Sequence, residues 1–403
     1  MYAAPFAFTA EQEGLRAEVR ELLHGDAVQR ELAGLRGLRP QPLPRAAYRA
    51  LGARGRLAPD WPVRYGGLGA SLAEAAVVAE EMALCGVPDS ARVNTIDNAG
   101  RTLLAAGDDR QKAAHLPAMA AGETLCCVLY SEPGAGSDLG ALRTRAVRDG
   151  QGWRLSGEKC WNVGGHAADY GICAARTGGG ASRYAGISVF MVPLRDGGVH
   201  IEDVPGVIPE MFQRMVLDGV RVPDDALIGP CGGGWQIVND ALTLERTGVY
   251  LYGRARRWLD LLDRLGAVPR SDERAVRLSE ELAAARLLAW DCVARLASGE
   301  EATAEAAEAK WWTGELASRV ARLAWRTRPA WEDRCREGGA RGADPAAAEL
   351  ADALCEAPAL SLAAGTSEMM LATVASALLD PARPDDGPVP PDGTLGDAAE
   401  AVV

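Results

Sequence analysis

The period of the apolar residues changes twice along this chain, and no single-layer fold accommodates both changes. From Thr9 to about Gly122 the spacing is helical. Thr9 with Gln12 forms a capping box, Leu15, Val19, Leu22 and Leu23 follow on one face, and Ser71 opens a second amphipathic run through Met82. Pro40, Pro42, Pro44 and the stretch Asp60-Trp61-Pro62-Val63-Arg64-Tyr65-Gly66-Gly67 punctuate these helices. From Glu123 to about Gly229 the sequence breaks into short apolar or alternating runs: Cys126–Tyr130, Arg143–Val147, Trp153–Ser156, Gly171–Ala175, Gly186–Pro193 and Gly219–Val222. Asp-Gly and Gly-Gly turns divide them, as in a small β-barrel or sandwich. After Gly232-Gly233-Gly234 the helical period returns in long alanine-rich segments suited to a bundle. The expected class is α+β. It has an N-terminal α-helical domain (1–122), a middle β-barrel or sandwich domain (123–230), a C-terminal helix bundle (231–380) and a disordered proline-containing tail (381–403).

The charge balance narrows the function classes. A net charge of −12 over 403 residues argues against a nucleic-acid or anionic-membrane partner. Nine cysteines with no C-x-x-C pair and no histidines at zinc spacing suggest neither a disulfide framework nor a metal site, and fit a reducing cytoplasm. Met1–Gln12 lacks the basic and apolar segments of an export signal, and no apolar run reaches the roughly 18 residues of a membrane span.

Three places offer chemistry. The run Cys126–Tyr130 stops at Ser131-Glu132-Pro133-Gly134-Ala135-Gly136-Ser137-Asp138, a turn whose glycines let backbone N–H groups approach an anionic or planar ligand. Leu139 replaces the third glycine of G-x-G-x-x-G and no helix N-terminus follows, so a Rossmann reading fails. On the helix from Gly234, Glu245 falls within an apolar stripe of Trp235, Val238, Ala241, Leu242, Val249 and Tyr252. A carboxylate there is desolvated and suited to a general base, or is a structural partner of Arg246 or of an arginine from another helix. In the turn-rich piece Gly157–Asp169, Trp161 could cover a planar ring or fill the core. His166 reads as a turn histidine. Gly365-Thr366-Ser367-Glu368 reads as the N-cap of a last helix.

In order, these pieces resemble the acyl-CoA dehydrogenase family. The landmarks are Trp61-Pro62 with Tyr65-Gly66-Gly67-Leu68-Gly69, the 131–138 turn, Gly157-Glu158-Lys159 with Trp161, Val220-Arg221-Val222-Pro223 leading to Gly229, Leu244-Glu245-Arg246, and Gly365-Thr366-Ser367-Glu368. The resemblance implies a C-terminal four-helix bundle, homodimers or homotetramers, and FAD wedged between domains and the neighbouring subunit. It implies that Tyr130, Ser131, Gly136 and Ser137 meet the flavin, that Trp161 and Val163 lie by the ring, and that Gly365, Thr366 and Glu368 contribute to the cofactor site. Ser137, Tyr252 and Arg246 would contact substrate, and Tyr250 and Trp235 would narrow the pocket or belong to the core. The implied reaction is α,β-dehydrogenation of an acyl-CoA or acyl-carrier-protein thioester, with electron-transfer flavoprotein or a similar acceptor. The family places its base either just before the last Gly-Thr, here Ala364, or at Glu245; alanine takes no proton, leaving Glu245.

Two departures bear on the adenosine side of FAD. The family's Arg-x-Phe-Gly segment is Asp260-Leu261-Leu262-Asp263-Arg264-Leu265-Gly266 here, and its Gln-x-x-Gly-Gly-x-Gly loop is Arg334-Cys335-Arg336-Glu337-Gly338-Gly339-Ala340. They favour, as an alternative, a weakly active or inactive subunit of a heteromeric acyl-CoA dehydrogenase; a flavin oxidase or monooxygenase on the same fold is a further one.

Overall fold

The structure, a computed structural model, describes residues 7–379 except 39, 180–181, 196, 210, 270 and 337–343, so the expected tail and part of the 334–340 segment lie outside the described residues. The N-terminal third is helical: α1 (Ala10–Leu23), α2 (Asp26–Leu35), α3 (Arg45–Gly52), α4 (Leu72–Leu84), α5 (Ser90–Arg92), a π-helical stretch Val93–Gly100, α6 (Arg101–Ala106) and α7 (Asp109–Ala120). Capping boxes start three of them, at Thr9 with Gln12, Ser71 with Glu74 and Asp108 with Gln111. Helix α4 is buried nearly all round. Its two buried acids are neutralised from different sides, Glu81 by Arg16 and Arg20 of α1, and Glu80 by Arg286 of the bundle.

The β region is one eight-stranded hydrogen-bonded sheet whose end strands do not pair with each other, so the barrel is not closed, and it folds over on itself to bring Trp153 against Phe190 at 5.4 Å. Its strands are β1 (Cys126–Leu129), β2 (Arg145–Arg148), β3 (Gly152–Val163), β4 (Tyr170–Arg176), β5 (Ile187–Pro193), β6 (Val199–Val204), β7 (Phe212–Pro223) and β8 (Leu227–Ile228). The order is β6-β7-β3-β2-β4-β5-β8, with β1 parallel to β4. Strands β3 and β7 each run to 12 residues, well beyond the expected Trp153–Ser156 and Gly219–Val222. Gly157 masks the continuity of β3: a Cβ there would stand 2.4 Å from Thr144 Oγ1, so glycine serves a close approach instead of a turn. Strand β6 escapes the sequence because only three of its six side chains, Val199, Ile201 and Val204, are apolar and none of them is fully buried.

The remaining helices are α8 (Gly234–Glu245), α9 (Val249–Arg264), α10 (Glu273–Ala297), α11 (Thr303–Arg326), α12 (Arg328–Arg336), α13 (Pro345–Leu360) and α14 (Ser367–Leu379). Leu262, Leu282, Leu316, Val320 and Leu350 pack one core among α9, α10, α11 and α13. The apolar stripe expected through Tyr252 does not exist as one helix. Helix α8 ends at Glu245, Gly248 adopts φ 78°, and α9 restarts the phase. No helix among the described residues is long and apolar enough to cross a membrane.

Candidate active site

The turn after β1 is held from beneath. Lys159, fully buried, donates from Nζ to the Tyr130 carbonyl (2.9 Å) and to Glu132 Oε1 (2.8 Å). The Glu132 carboxylate also accepts from the Arg143 and Thr144 amides at 2.6 and 2.9 Å. Burial alone would push its pKa up, but the Lys159 charge and these hydrogen bonds outweigh it and hold Glu132 below the usual range. Two landmark residues of unassigned role are therefore the support of the turn. Ser131, Gly136 and Ser137 are left facing a cavity, and a Cβ on Gly136 would meet nothing within 4 Å.

Trp161 lies in β3, not in a turn. Between Lys159 and Asn162 the register with β7 shifts by a bulge, and Trp161 takes φ 63°, a conformation strained for a bulky residue. The bulge turns the indole out of the sheet, 55% exposed, edge-on to Phe212 at 5.7 Å and into the same cavity. Val163 lines it too, and its carbonyl accepts from Asn94 Nδ2 at 3.3 Å.

Glu245 ends α8 and lines the same cavity. Its Oε2 accepts from Asn98 Nδ2 at 3.2 Å, and Asn98 comes from the π-helical stretch, a helix form concentrated at functional sites. Burial is the main cause of a raised Glu245 pKa, partly offset by the Asn98 hydrogen bond and the Arg246 charge. The C-terminal end of a helix disfavours the carboxylate further. The structural pairing with Arg246 is not made: Arg246 Nε donates instead to the Ala364 carbonyl at 2.8 Å. Ala364 itself has φ 56°, and the next carbonyl, Gly365, accepts from Lys310, whose pKa burial lowers to about 8. Thr366 accepts from the Met369 amide (3.2 Å) at the start of α14, as a cap does.

Tyr130, Ser131, Gly136, Ser137, Trp161, Val163, Glu245, Arg246, Gly365 and Thr366 thus line one cavity of about 2380 Å³. Single ligands are usually held in about 300–1,000 Å³, so two can lie here side by side. Two expected residues are elsewhere. Glu368 is exposed and does not line the cavity; Tyr252 is buried in the bundle core beneath Arg286. On α9 Tyr252 points about 200° from Tyr250, and it is Tyr250 that lines the cavity, with Trp235. Asn94 and Asn98 escaped the sequence reading because 3.6-residue periodicity misplaces side chains on a π-helical segment. The protruding indole, the Tyr130–Ser131 wall and the space between them fit a flavin ring. Asp260–Gly266 do not line the cavity of this chain.

Ionising Glu245 costs stability, because its folded pKa is raised. The cost is absent below the ordinary value of 4.5, sets in above it and is full above the raised value. Glu245→Gln is therefore expected to melt at a higher temperature than the wild type at pH 8, the gap narrowing as pH falls towards 4.5. Scanning calorimetry across that range checks it; a gap independent of pH contradicts it.

Comparison with known proteins agrees with this architecture. Family models match throughout: acyl-CoA dehydrogenase N-terminal domain over residues 9–123, middle domain over 127–220 and C-terminal domain over 232–379. Acyl-CoA dehydrogenase FadE29 of Mycobacterium tuberculosis is 33% identical over 331 residues, 78% of this chain and 84% of that protein. FadE34 of the same organism is 37% identical over 235 residues, which are 54% of this chain and 32% of that longer protein. Among solved structures, the Tcur3481-Tcur3483 steroid ACAD superposes with TM-score 0.80 at 28% identity, covering 94% of this chain and 99% of that one. The ChsE4-ChsE5 complex from Mycobacterium tuberculosis gives 0.77 at 27%, covering 93% and 99%. The chain belongs to the acyl-CoA dehydrogenase family, flavoprotein oxidoreductases acting on CH–CH groups.

Proposed function

We propose that this chain desaturates the α,β bond of an acyl thioester carried on CoA or an acyl carrier protein, with Glu245 as the base. The observation that carries this reading is a desolvated carboxylate in one cavity with the Trp161 and Tyr130–Ser131 wall. FAD, when bound, supplies the acceptor for the β hydride. Glu245 takes the α proton, the substrate loses that proton and one hydride, and the 2,3-enoyl thioester remains. Asn98 fixes the carboxylate, Arg246 braces the Ala364–Gly365 loop, and Ser137 faces the carrier arm. Electrons leave through electron-transfer flavoprotein or a similar acceptor. The test is anaerobic flavin reduction by a panel of acyl thioesters; bleaching by none of them rejects the reading.

A hydrogen bond from Asn98 favours the ionised form of Glu245, so Asn98→Ala is expected to move the acid limb of the kcat/KM–pH profile to higher pH. The loss on that limb is about tenfold, the size of a hydrogen bond to a charged group, and the alkaline plateau changes less. A uniform loss at all pH values contradicts this role.

A second reading is supported by Asp260–Gly266 standing where the family's Arg-x-Phe-Gly does: a subunit whose FAD is completed by a different partner chain. Flavin content separates the two. Protein purified alone is yellow on the first reading, and becomes yellow only with a co-expressed partner on the second.

A further inference from the structure

Beyond Glu245 the cavity wall is a face of α9, where Tyr250, Arg254 and Arg257 stand at i, i+4 and i+7. Trp258 lines the cavity from the same helix, but beside it stand one hydroxyl and two guanidinium groups, which an alkyl chain does not need. Arg254 bridges Asp89 and Glu356. Arg257 grips Glu349 through two hydrogen bonds of 2.5 and 2.8 Å, and Arg36 joins Glu349 at 3.2 Å. Every one of these guanidinium groups is thus already matched to a carboxylate. Counting Asp352, which also lines the cavity, these three cations face four acids.

Two polar atoms are left over. The Tyr250 hydroxyl has no hydrogen-bond partner among the described residues, while Glu245, Asp89 and Arg254 lie within electrostatic reach of it. Asp89 Oδ2 is buried and likewise without a partner, its Oδ1 being taken by Arg254. One is a donor and the other an acceptor only. A single hydroxyl satisfies both, accepting from tyrosine and donating to aspartate.

On the thioester reading above, we propose that the acyl group carries a hydroxyl remote from the thioester, recognised by Tyr250 and Asp89. A plain alkyl chain would leave Asp89 Oδ2 unpaired and would cover the Tyr250 hydroxyl without giving it a hydrogen bond, which is costly. A terminal carboxylate at this wall would add a fifth acid beside three guanidinium groups that are already paired.

The test compares anaerobic flavin reduction by matched thioesters on whichever carrier supports it: octanoyl, 6- and 8-hydroxyoctanoyl, and 7-carboxyheptanoyl. A hydroxyoctanoyl ester is expected to exceed octanoyl in kcat/KM by about tenfold or more, with the carboxylate slowest. Tyr250→Phe is expected to bring the hydroxyoctanoyl-to-octanoyl ratio towards one, a change that a merely structural tyrosine would not produce. Octanoyl reducing the flavin as fast as the hydroxylated esters, or an unchanged ratio in Tyr250→Phe, overturns the proposal while leaving the dehydrogenase reading intact. Reduction by no thioester, with the flavin still bleached by dithionite, overturns both.

Discussion

Glu245→Gln, folded and carrying flavin, is expected to reduce that flavin with substrate about 10²-fold or more slowly than the wild type, the usual loss on removing a positioned general base. The substitution is close to isosteric. It keeps a carbonyl oxygen for Asn98 Nδ2, now 3.2 Å from the carboxylate, and leaves Arg246 on the Ala364 carbonyl. What it removes is the capacity to accept a proton. Stopped-flow flavin bleaching under argon reads the step, and flavin content with a melting curve establishes that the variant is intact. A rate within threefold of the wild type would sink the assignment. Asn98→Ala provides the contrast, since it retunes the base without deleting it.

The largest effect on stability is expected at Lys159. Replacing it by methionine keeps the apolar stem but leaves the Glu132 carboxylate, 7% exposed, without its cation. Removing one partner of a buried pair costs about 3–5 kcal/mol, because the other charge stays desolvated. The two amide hydrogen bonds from Arg143 and Thr144 favour a value near the lower end. Glu132→Gln combined with Lys159→Met restores neutrality and is expected to recover most of the loss. The sign of the pH dependence follows from the depressed Glu132 pKa: its contribution is present above the ordinary carboxylate value and is lost as pH falls through the folded value. Denaturant unfolding of the single and double variants at pH 7 measures this, and a single-variant loss below about 1 kcal/mol contradicts the pairing argument.

Glu245 shows how sequence and structure divided the work. Periodicity singled it out as a carboxylate on an apolar stripe, yet the stripe was drawn across Arg246–Gly248, where the helix breaks and the phase is lost. Within α8 Glu245 does share a face with the buried Val238 and Ala241; only the extension to Val249 and Tyr252 fails. The same break sent Tyr252 into the bundle core and put Tyr250 at the site. From the sequence Trp161 reads either as a cover for a planar ring or as core, and its placement depends on a bulge and a positive φ that no residue pattern announces. Glu368 read as a site residue by its place beside Gly365 and Thr366, though only those two line the cavity.

By itself the sequence determined what is local. Capping boxes at Thr9 and Ser71, the change from helical to strand spacing near Glu123, and the 131–138 turn all follow from residues within a few positions of one another. It also carried the family, because six motifs in order are a linear property. Only the tertiary structure decided which atoms share the cavity: Asn98 meets Glu245 across 147 positions, Arg246 meets Ala364 across 118, and Arg257 meets Glu349 across 92. Those pairings depend on the angles at helix breaks and bulges. A rotation of 100° per residue fixes a face within one helix, and nothing beyond the first glycine at positive φ.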